Sequence, residues 1–453
     1  MRRRNKSRRN RYGASSVFLG IVMSAVILVE CTFLTFVWEL DYITKVNNAV
    51  ETQVESILCE YNRQLFDVYG IYAFTIDVVD DDVYSKALLA CGYTEGPKLD
   101  IGGYRSIDRK ALKDAINMYY SYRGSGIAIS RIADFFSEMI SEFANNNVLK
   151  MIKEYTSSPA AGYVSDIIRG SEKLSSWLEK AGTILNIEDS ESYLKFFESI
   201  RKEINDDNDL KAMGIDIRID NMKPALELID RLMQLHESAG KTENKLLSHI
   251  NTANYLSFNF DCYLKQDIDS TINGTAFTDI HKKNKCDTEY ILTGNTDSAA
   301  NAGVSFLLMA VLSCKNFLVD YLNKDYRNKI DVISKILSVI IAAISEGTVQ
   351  IDYRIITVVL IHMIACVKSV KEIKKLRNGE RITLMKIKSK NVITAGYRDF
   401  LFLFMLGVPD SKMLDRALVV LKRDYGDLYT SFTASADAGL KKIKVTRSYA
   451  LYG

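Results

Sequence analysis

The stretch RRRNKSRRNRYGASSVFLGIVMSAVILVECTFLTFVW, Arg2 to Trp38, decides how the rest of the chain is read. Arg2, Arg3, Arg4, Lys6, Arg8, Arg9 and Arg11 precede an apolar run, Ala14 to Val37, in which Glu30 is the single acid. As a helix rising about 1.5 Å per residue, residues 14–37 reach about 36 Å, enough to cross a hydrocarbon core of about 30 Å with some tilt. A secretory signal has a shorter apolar region, about 7–15 residues, followed by a small-residue cleavage site. Here Trp38, Glu39, Leu40 and Asp41 follow, with no A-x-A pattern. The segment therefore reads as a retained anchor. Basic residues beside a first span favour the cytoplasmic side, and Trp38 sits where an interfacial aromatic belongs. The expected topology is single-pass: a cytoplasmic tail 1–13, a transmembrane helix 14–37 and an extracytoplasmic bulk. Glu30 has two readings: a carboxyl that reaches the interface or is protonated, or a contact with another membrane helix.

Composition limits the remaining possibilities. The 453 residues are 47% hydrophobic and carry a net charge of +3. Without the seven basic residues of the tail, 52 basic residues face 56 acidic ones. The basic character is a terminal patch, which argues against a nucleic-acid groove on the body. Seven cysteines without a C-x-x-C pair do not form a zinc ribbon or a disulfide framework. Cys262 and Cys286 remain open as a pair.

Past the anchor, Ile43, Val46, Val50, Val54, Ile57, Leu58, Tyr61 and Leu65 recur at helical spacing and define one apolar face. No Pro or Gly occurs from 21 to 69, and Gly70 offers a helix end. The expectation is one rod, with residues 38–70 as an amphipathic stalk. Glu30, Trp38 and the stripe Ile43, Val46, Val50, Val54, Ile57, Tyr61 and Leu65 are the candidates for membrane or partner contact.

ASSVFLGIVMSAVILVE (Ala14–Glu30), with VESILCEYNRQLFDVYGIYAF (Val54–Phe74), resembles a Gram-positive family of uncharacterised function related to TadE/TadG-like pilus-assembly subunits. The resemblance rests on Glu30 and on an E-Y-x-x-x-L-x-x-x-Y-G stretch formed by Glu60, Tyr61, Leu65, Tyr69 and Gly70, continued by Ile71 and Tyr72. EYILTG (Glu289–Gly294) and LMKIKSK (Leu384–Lys390) before GYRDFLFLFM also resemble it. It implies an assembly component of a Tad-like (type IVc) pilus or related secretion machine, with lipid and other pilus or secretion subunits as partners. Prepilin processing does not fit: cleavage after Gly13 would place Phe18, not an acid, five residues on.

The body reads as α+β and predominantly α. Residues 71–260 are expected to be a helix-rich bundle and 261–453 an α+β region. A small mixed sheet would draw strands from 71–79, 214–220, 288–293, 382–394 and 441–450. Asp80, Asp81 and Asp82 suit a helix N-terminus, where negative charge is favoured. The apolar helices near 304–313, 332–344 and 355–367 read as core or as extra spans. Nucleotide-loop, zincin and hydrolase motifs are absent. His362 and Cys366, at i and i+4 on an apolar helix, read as a core pair. His281 and Cys286, in HKKNKC, are the only other candidates for metal. Acid pairs such as Asp206–Asp207 and Asp267–Asp269 read as solvated loops. No catalytic residue, metal or cofactor is assigned. The other open reading is a cell-surface sensor or enzyme ectodomain.

Overall fold

A computed structural model describes residues 7–78, 82–123, 159–170, 176–177, 180, 190–205, 243–264, 285–387, 391–439 and 441–449. The chain is mostly helical with a small amount of sheet. It divides into two compact units, residues 1–111 with 422–453, and residues 112–421.

In the first unit, α1 (Ser7–Cys59) is followed by α2 (Arg63–Tyr69), α3 (Asp82–Ala90) and β1 (Leu99–Ser106), and is completed by β4 (Tyr429–Asp437) and β5 (Lys442–Ser448). The three strands form an antiparallel sheet in the order β1-β4-β5. Because α1 turns every 3.6 residues, Val46, Val50, Val54 and Ile57 share one face. That face is buried against Phe432, Ala434, Ala436, Ile443 and Val445 of the sheet. Each Val, Ile or Phe side chain so buried contributes about 1.5–3 kcal/mol relative to exposure. The opposite face of the sheet is polar: the hydroxyls of Thr433 and Thr446 meet there at 2.9 Å.

Helix α1 ends at Cys59 rather than running on to Gly70. Asn62 breaks it, accepting from the Leu65 N–H at 3.0 Å and so capping α2. The Tyr449 hydroxyl donates to the Leu58 carbonyl at 2.7 Å, satisfying the end of α1 from the end of β5. Gly70 does end a helix, but that helix is α2, with φ of 64°. Gln53, fully buried in α1, accepts from the Tyr84 N–H at 2.7 Å and caps the start of α3.

The expected strand 71–79 is, where described, a single bridge from Phe74 to Tyr429 followed by a 3-10 turn, Ile76–Val78. Strand β1 carries a bulge between Ile101 and Gly103, and a Cβ on Gly103 would lie 2.4 Å from Thr433. Only glycine permits so close an approach of β1 to β4.

The second unit includes α4 (Arg109–Arg123, entered at Leu112), α5 (Pro159–Gly170), α6 (Ser190–Asn205), α7 (Glu243–Asn259), α8 (Asp287–Thr293), α9 (Asp297–Leu322), α10 (Lys324–Ile344) and α11 (Tyr353–Arg377). A separate hairpin, β2 (Ile382–Ile387) and β3 (Asn391–Ala395), then leads to α12 (Tyr397–Leu406) and α13 (Asp410–Tyr425). Residues 288–293, expected as a strand, are helix α8; residues 214–220 lie outside the described residues. All described strand pairings are antiparallel, not mixed.

Helices α9 and α11 form the centre of this unit. Leu308, Leu312 and Phe317 of α9, and Ile356, Leu360 and Ile361 of α11, are fully buried. Polar pairs join the same two helices: Lys315 to Glu372 at 2.5 Å, Asn316 to Ser369 at 3.1 Å, and Lys368 to Asp320 at 2.8 Å. Buried polar groups need such partners. The apolar stretches near 304–313, 332–344 and 355–367 sit inside α9, α10 and α11 respectively.

Strands β1 and β4 pair directly from Leu99–Ala436 to Ser106–Tyr429, and the Ile107 N–H donates to the Leu428 carbonyl at 3.0 Å. Residues 108–427 therefore form an insertion where a hairpin turn would otherwise stand. Replacing them with an Asn-Gly turn should leave a first unit that folds with its sheet, seen as dispersed amide signals in detergent micelles. A collapsed, undispersed spectrum would contradict the topology.

Candidate functional site

The N-terminal half of α1 faces outward. Three described helices are long and apolar enough to cross a membrane: Ser15–Cys59, whose most apolar window is 0% buried, and Ser298–Leu322 and Tyr353–Arg377, whose windows are 72% and 78% buried inside the protein. Within the first, polar hydroxyls satisfy themselves. Ser24 donates to the Ile21 carbonyl at 2.9 Å, Thr32 to Leu28 at 2.7 Å and Thr35 to Cys31 at 2.8 Å. That is how hydroxyls are accommodated where no water is present.

Glu30 and Trp38 are exposed on α1. Ile43 is half-buried, whereas Val46, Val50, Val54 and Ile57 are consumed by the unit's own core. Leu65 and Tyr69 are buried through α2, and Tyr61 is half-buried in a ring cluster with Phe66 and Tyr72. Glu60 is exposed at the break between α1 and α2. Arg8, Arg9 and Arg11 lie in α1, while Arg2, Arg3, Arg4 and Lys6 lie outside the described residues. The outward face left for lipid or partners thus centres on residues 15–40.

A groove of about 300 Å³ in the first unit is lined by Tyr84, Leu88, Tyr93, Pro97, Lys98 and Ile101 among others. Its lining contains no acid, histidine or cysteine, and its ionisable side chains are Tyr84, Tyr93 and Lys98.

Two polar centres stand out in the second unit. In the first, His249 on α7 bonds Asp410 through Nδ1, and its Nε2 donates to the Leu406 carbonyl at 3.0 Å. Lys113 reaches the other oxygen of Asp410 at 2.6 Å. An imidazole that donates from both nitrogens is an imidazolium. Burial opposes that charge, but the bonds to Asp410 and Leu406 outweigh it and raise the pKa of His249. Burial also opposes charge on Asp410, and the bonds from His249 and Lys113 overcome it, lowering its pKa. Both ring nitrogens are engaged within the protein. The group clamps α4, α7 and the α12–α13 junction together.

The second centre is Glu289 on α8, fully buried. Its Oε1 accepts from the Tyr263 N–H and the Tyr397 hydroxyl, both at 2.8 Å, while Oε2 has no partner. Burial raises its pKa. Arg398 spans the end of α7, donating to the carbonyls of Ser257, Phe258 and Phe260 at 2.8–3.2 Å. Arg416 does the same for α8, donating to Ile291 and Leu292. Cations at helix C-termini are favoured by the exposed carbonyls. Sequence reasoning singled out EYILTG without assigning Glu289 a role, and no local signal shows that it is buried.

Among the described residues no group of three His, Cys, Asp or Glu is arranged to hold a metal ion. His362 and Cys366 are both buried, 3.5 Å apart, within α11. Cys262 and Cys286 are not joined by a disulfide. His281, Asp206, Asp207, Asp267 and Asp269 lie outside the described residues.

A family of unknown function, DUF5702, matches residues 216–394. The match covers less than half of the chain and includes α7 to α11 and most of the β2–β3 hairpin. No curated protein and no solved structure shows significant similarity to the chain.

Removing the clamp by His249→Ala should cost about 1.5–3 kcal/mol, the worth of hydrogen bonds to charged groups. The sign with pH follows from the two shifts. The raised pKa of His249 makes its contribution full below the ordinary imidazole value of 6.5 and lost as pH climbs through the folded value. The lowered pKa of Asp410 makes its contribution full above 3.8 and lost as pH falls through the folded value. Denaturant titrations of wild type and variant should therefore differ most between these limits and converge outside them.

Proposed function

We propose that the chain is a membrane-anchored structural component of an extracytoplasmic assembly, in the manner of a Tad-like (type IVc) pilus or related secretion system. Its N-terminus is cytoplasmic, its single span is residues 14–37, and its bulk lies outside. One observation carries the reading: the exposed apolar half of α1 and the buried core half of α1 are one unbroken helix. A protein that needed only tethering could use a flexible linker after its span. Here the span enters the core of the first unit, so the helix transmits position and force from lipid to folded body.

Further support comes from the basic cluster before the span, the self-satisfied hydroxyls within it and the resemblance at Glu30 and Glu60–Gly70. The burial of α9 and α11 within the protein, with ion pairs between them, favours a body outside the bilayer. Glu30 is exposed to whatever surrounds the span, and its carboxyl is the group best suited to recognise another membrane helix.

Protease added to intact wall-stripped cells should digest the body and leave a protected fragment of residues 1 to about 40. A Glu30→Leu variant should stay in the membrane fraction but recover fewer co-purifying membrane subunits. A body protected in intact cells and cleaved only after lysis would refute the orientation. Unchanged recovery of the same subunits would refute the role of Glu30.

A further inference from the structure

The groove of about 300 Å³ in the first unit has no task in the assembly reading, and its place along α1 suggests one. Helix α3 runs beside α1, back toward the span. Its start is held at Gln53, which accepts from the Tyr84 N–H at 2.7 Å. Tyr84, Ala87 and Leu88 pack on the same core as the α1 stripe. The loop that follows, 91–98, comes down to Tyr42 and Lys45. The Tyr93 ring meets the Tyr42 ring edge-on, with centroids 5.2 Å apart, and the Lys45 ammonium lies 5.5 Å from the centre of the Tyr93 ring. From Gln53 back to Tyr42 is about 16 Å of unbroken helix. Helix α3 and its loop therefore descend along α1 and end beside its first turns past the span.

Measured from Val37, Tyr42 and Lys45 stand about 8 and 12 Å further along the helix axis. The headgroup layer on each side of the hydrocarbon core is about 5–8 Å thick. With the span at 14–37, the loop and the groove it lines lie at the outer edge of that layer. The residue types suit this height. Trp38, Tyr42 and Tyr93 are the aromatics of an interfacial belt. Leu89, near the lower end of α3, is 60% exposed. The lining also suits what is found there. Ser85, Tyr93 and Thr94 bring hydroxyls, Lys98 brings an ammonium, and Leu88 and Ile101 bring apolar carbons. Glu95 and Asp100, the acids nearest in sequence, do not line the groove, and among the described residues no carboxylate pairs with Lys98. The volume is at the small end for a ligand site and matches a headgroup, not a whole lipid.

We propose that this groove binds the phosphodiester headgroup of a membrane lipid, docking the α3–β1 connection onto the bilayer beside the protein's own span. The proposal rests on the anchor reading, because residues 14–37 set where the bilayer ends. Lys98 and the hydroxyls donate to the phosphate oxygens, which as charged acceptors make strong hydrogen bonds. Leu88 and Ile101 face the glycerol carbons, and Leu89 enters the interface. The mechanical consequence follows from the position of the groove off the axis of α1. A lone span leaves its tilt and its rotation to its surroundings, whereas an interfacial contact to one side fixes both. The first unit would then stand on the membrane in one orientation.

The test uses the full-length protein in nanodiscs of phosphatidylglycerol and phosphatidylcholine that carry a nitroxide on the headgroup. The chain has two tryptophans, Trp38 and Trp177. Trp177→Phe leaves Trp38 as the reference for the span, and Leu89→Trp with Trp38→Phe and Trp177→Phe reports the end of α3. Both should be quenched to a similar extent. Quenching of Trp38 but not of Leu89→Trp overturns the docking and leaves the anchor standing; quenching of neither overturns both. Native mass spectrometry of the protein released from unlabelled nanodiscs then reads the groove. Lys98→Glu should lower retention of the last bound phosphatidylglycerol by about tenfold, the worth of a hydrogen bond to a charged group. Added inorganic phosphate should not displace that lipid. Equal retention by wild type and Lys98→Glu overturns the headgroup site, and displacement by phosphate alone overturns the lipid as its occupant.

Discussion

Helix α1 passes from a segment with no protein around it into the centre of a helix-on-sheet core without a break in its hydrogen bonding. Every other feature of the first unit depends on that continuity. The sheet is three strands wide, and its apolar face must be buried against another element. Helix α1 supplies the cover, and its Gln53 also starts α3. At its end, Asn62 turns the chain and Tyr449 ties the last carbonyls to β5. Removing the stripe at Val46, Val50, Val54 and Ile57 would therefore free the anchor and dissolve the unit together.

The stripe was legible because a helix face repeats every 3.6 residues whatever it packs against. What it packs against was not, since β4 and β5 lie at the far end of the chain. The same spacing suggested a partner surface in another subunit, whereas the face is closed by the protein's own C-terminus. The tail KKIKVTRSYALYG was readable as a strand because its residues alternate. Strand β4, YTSFTASAD, was not readable: small and polar residues are buried on both faces, which erases the alternation. In β1, two adjacent glycines hid an edge strand with a bulge.

EYILTG misled for a different reason. Its Tyr, Ile and Thr favour strands, but propensity is a weak guide over six residues. Arg416 binds the last carbonyls and Gly294 supplies the left-handed turn, so tertiary contacts make it a helix. The polar centres were invisible for the same physical cause. His249 and Asp410, or Glu289 and Tyr397, are separated by more than a hundred residues and meet only after folding. The absence of nucleotide and hydrolase motifs, by contrast, needed no structure to be read.

The central claim is that the outer half of α1 is a core element and not a free stalk. Hydrogen exchange of the full-length protein in micelles, read at the amides of residues 46–57, tests it most directly. The account predicts that these amides exchange only when the first unit unfolds globally, at the same rate as those of β4. Exchange as fast as a solvated single helix, while β4 stays protected, would contradict it.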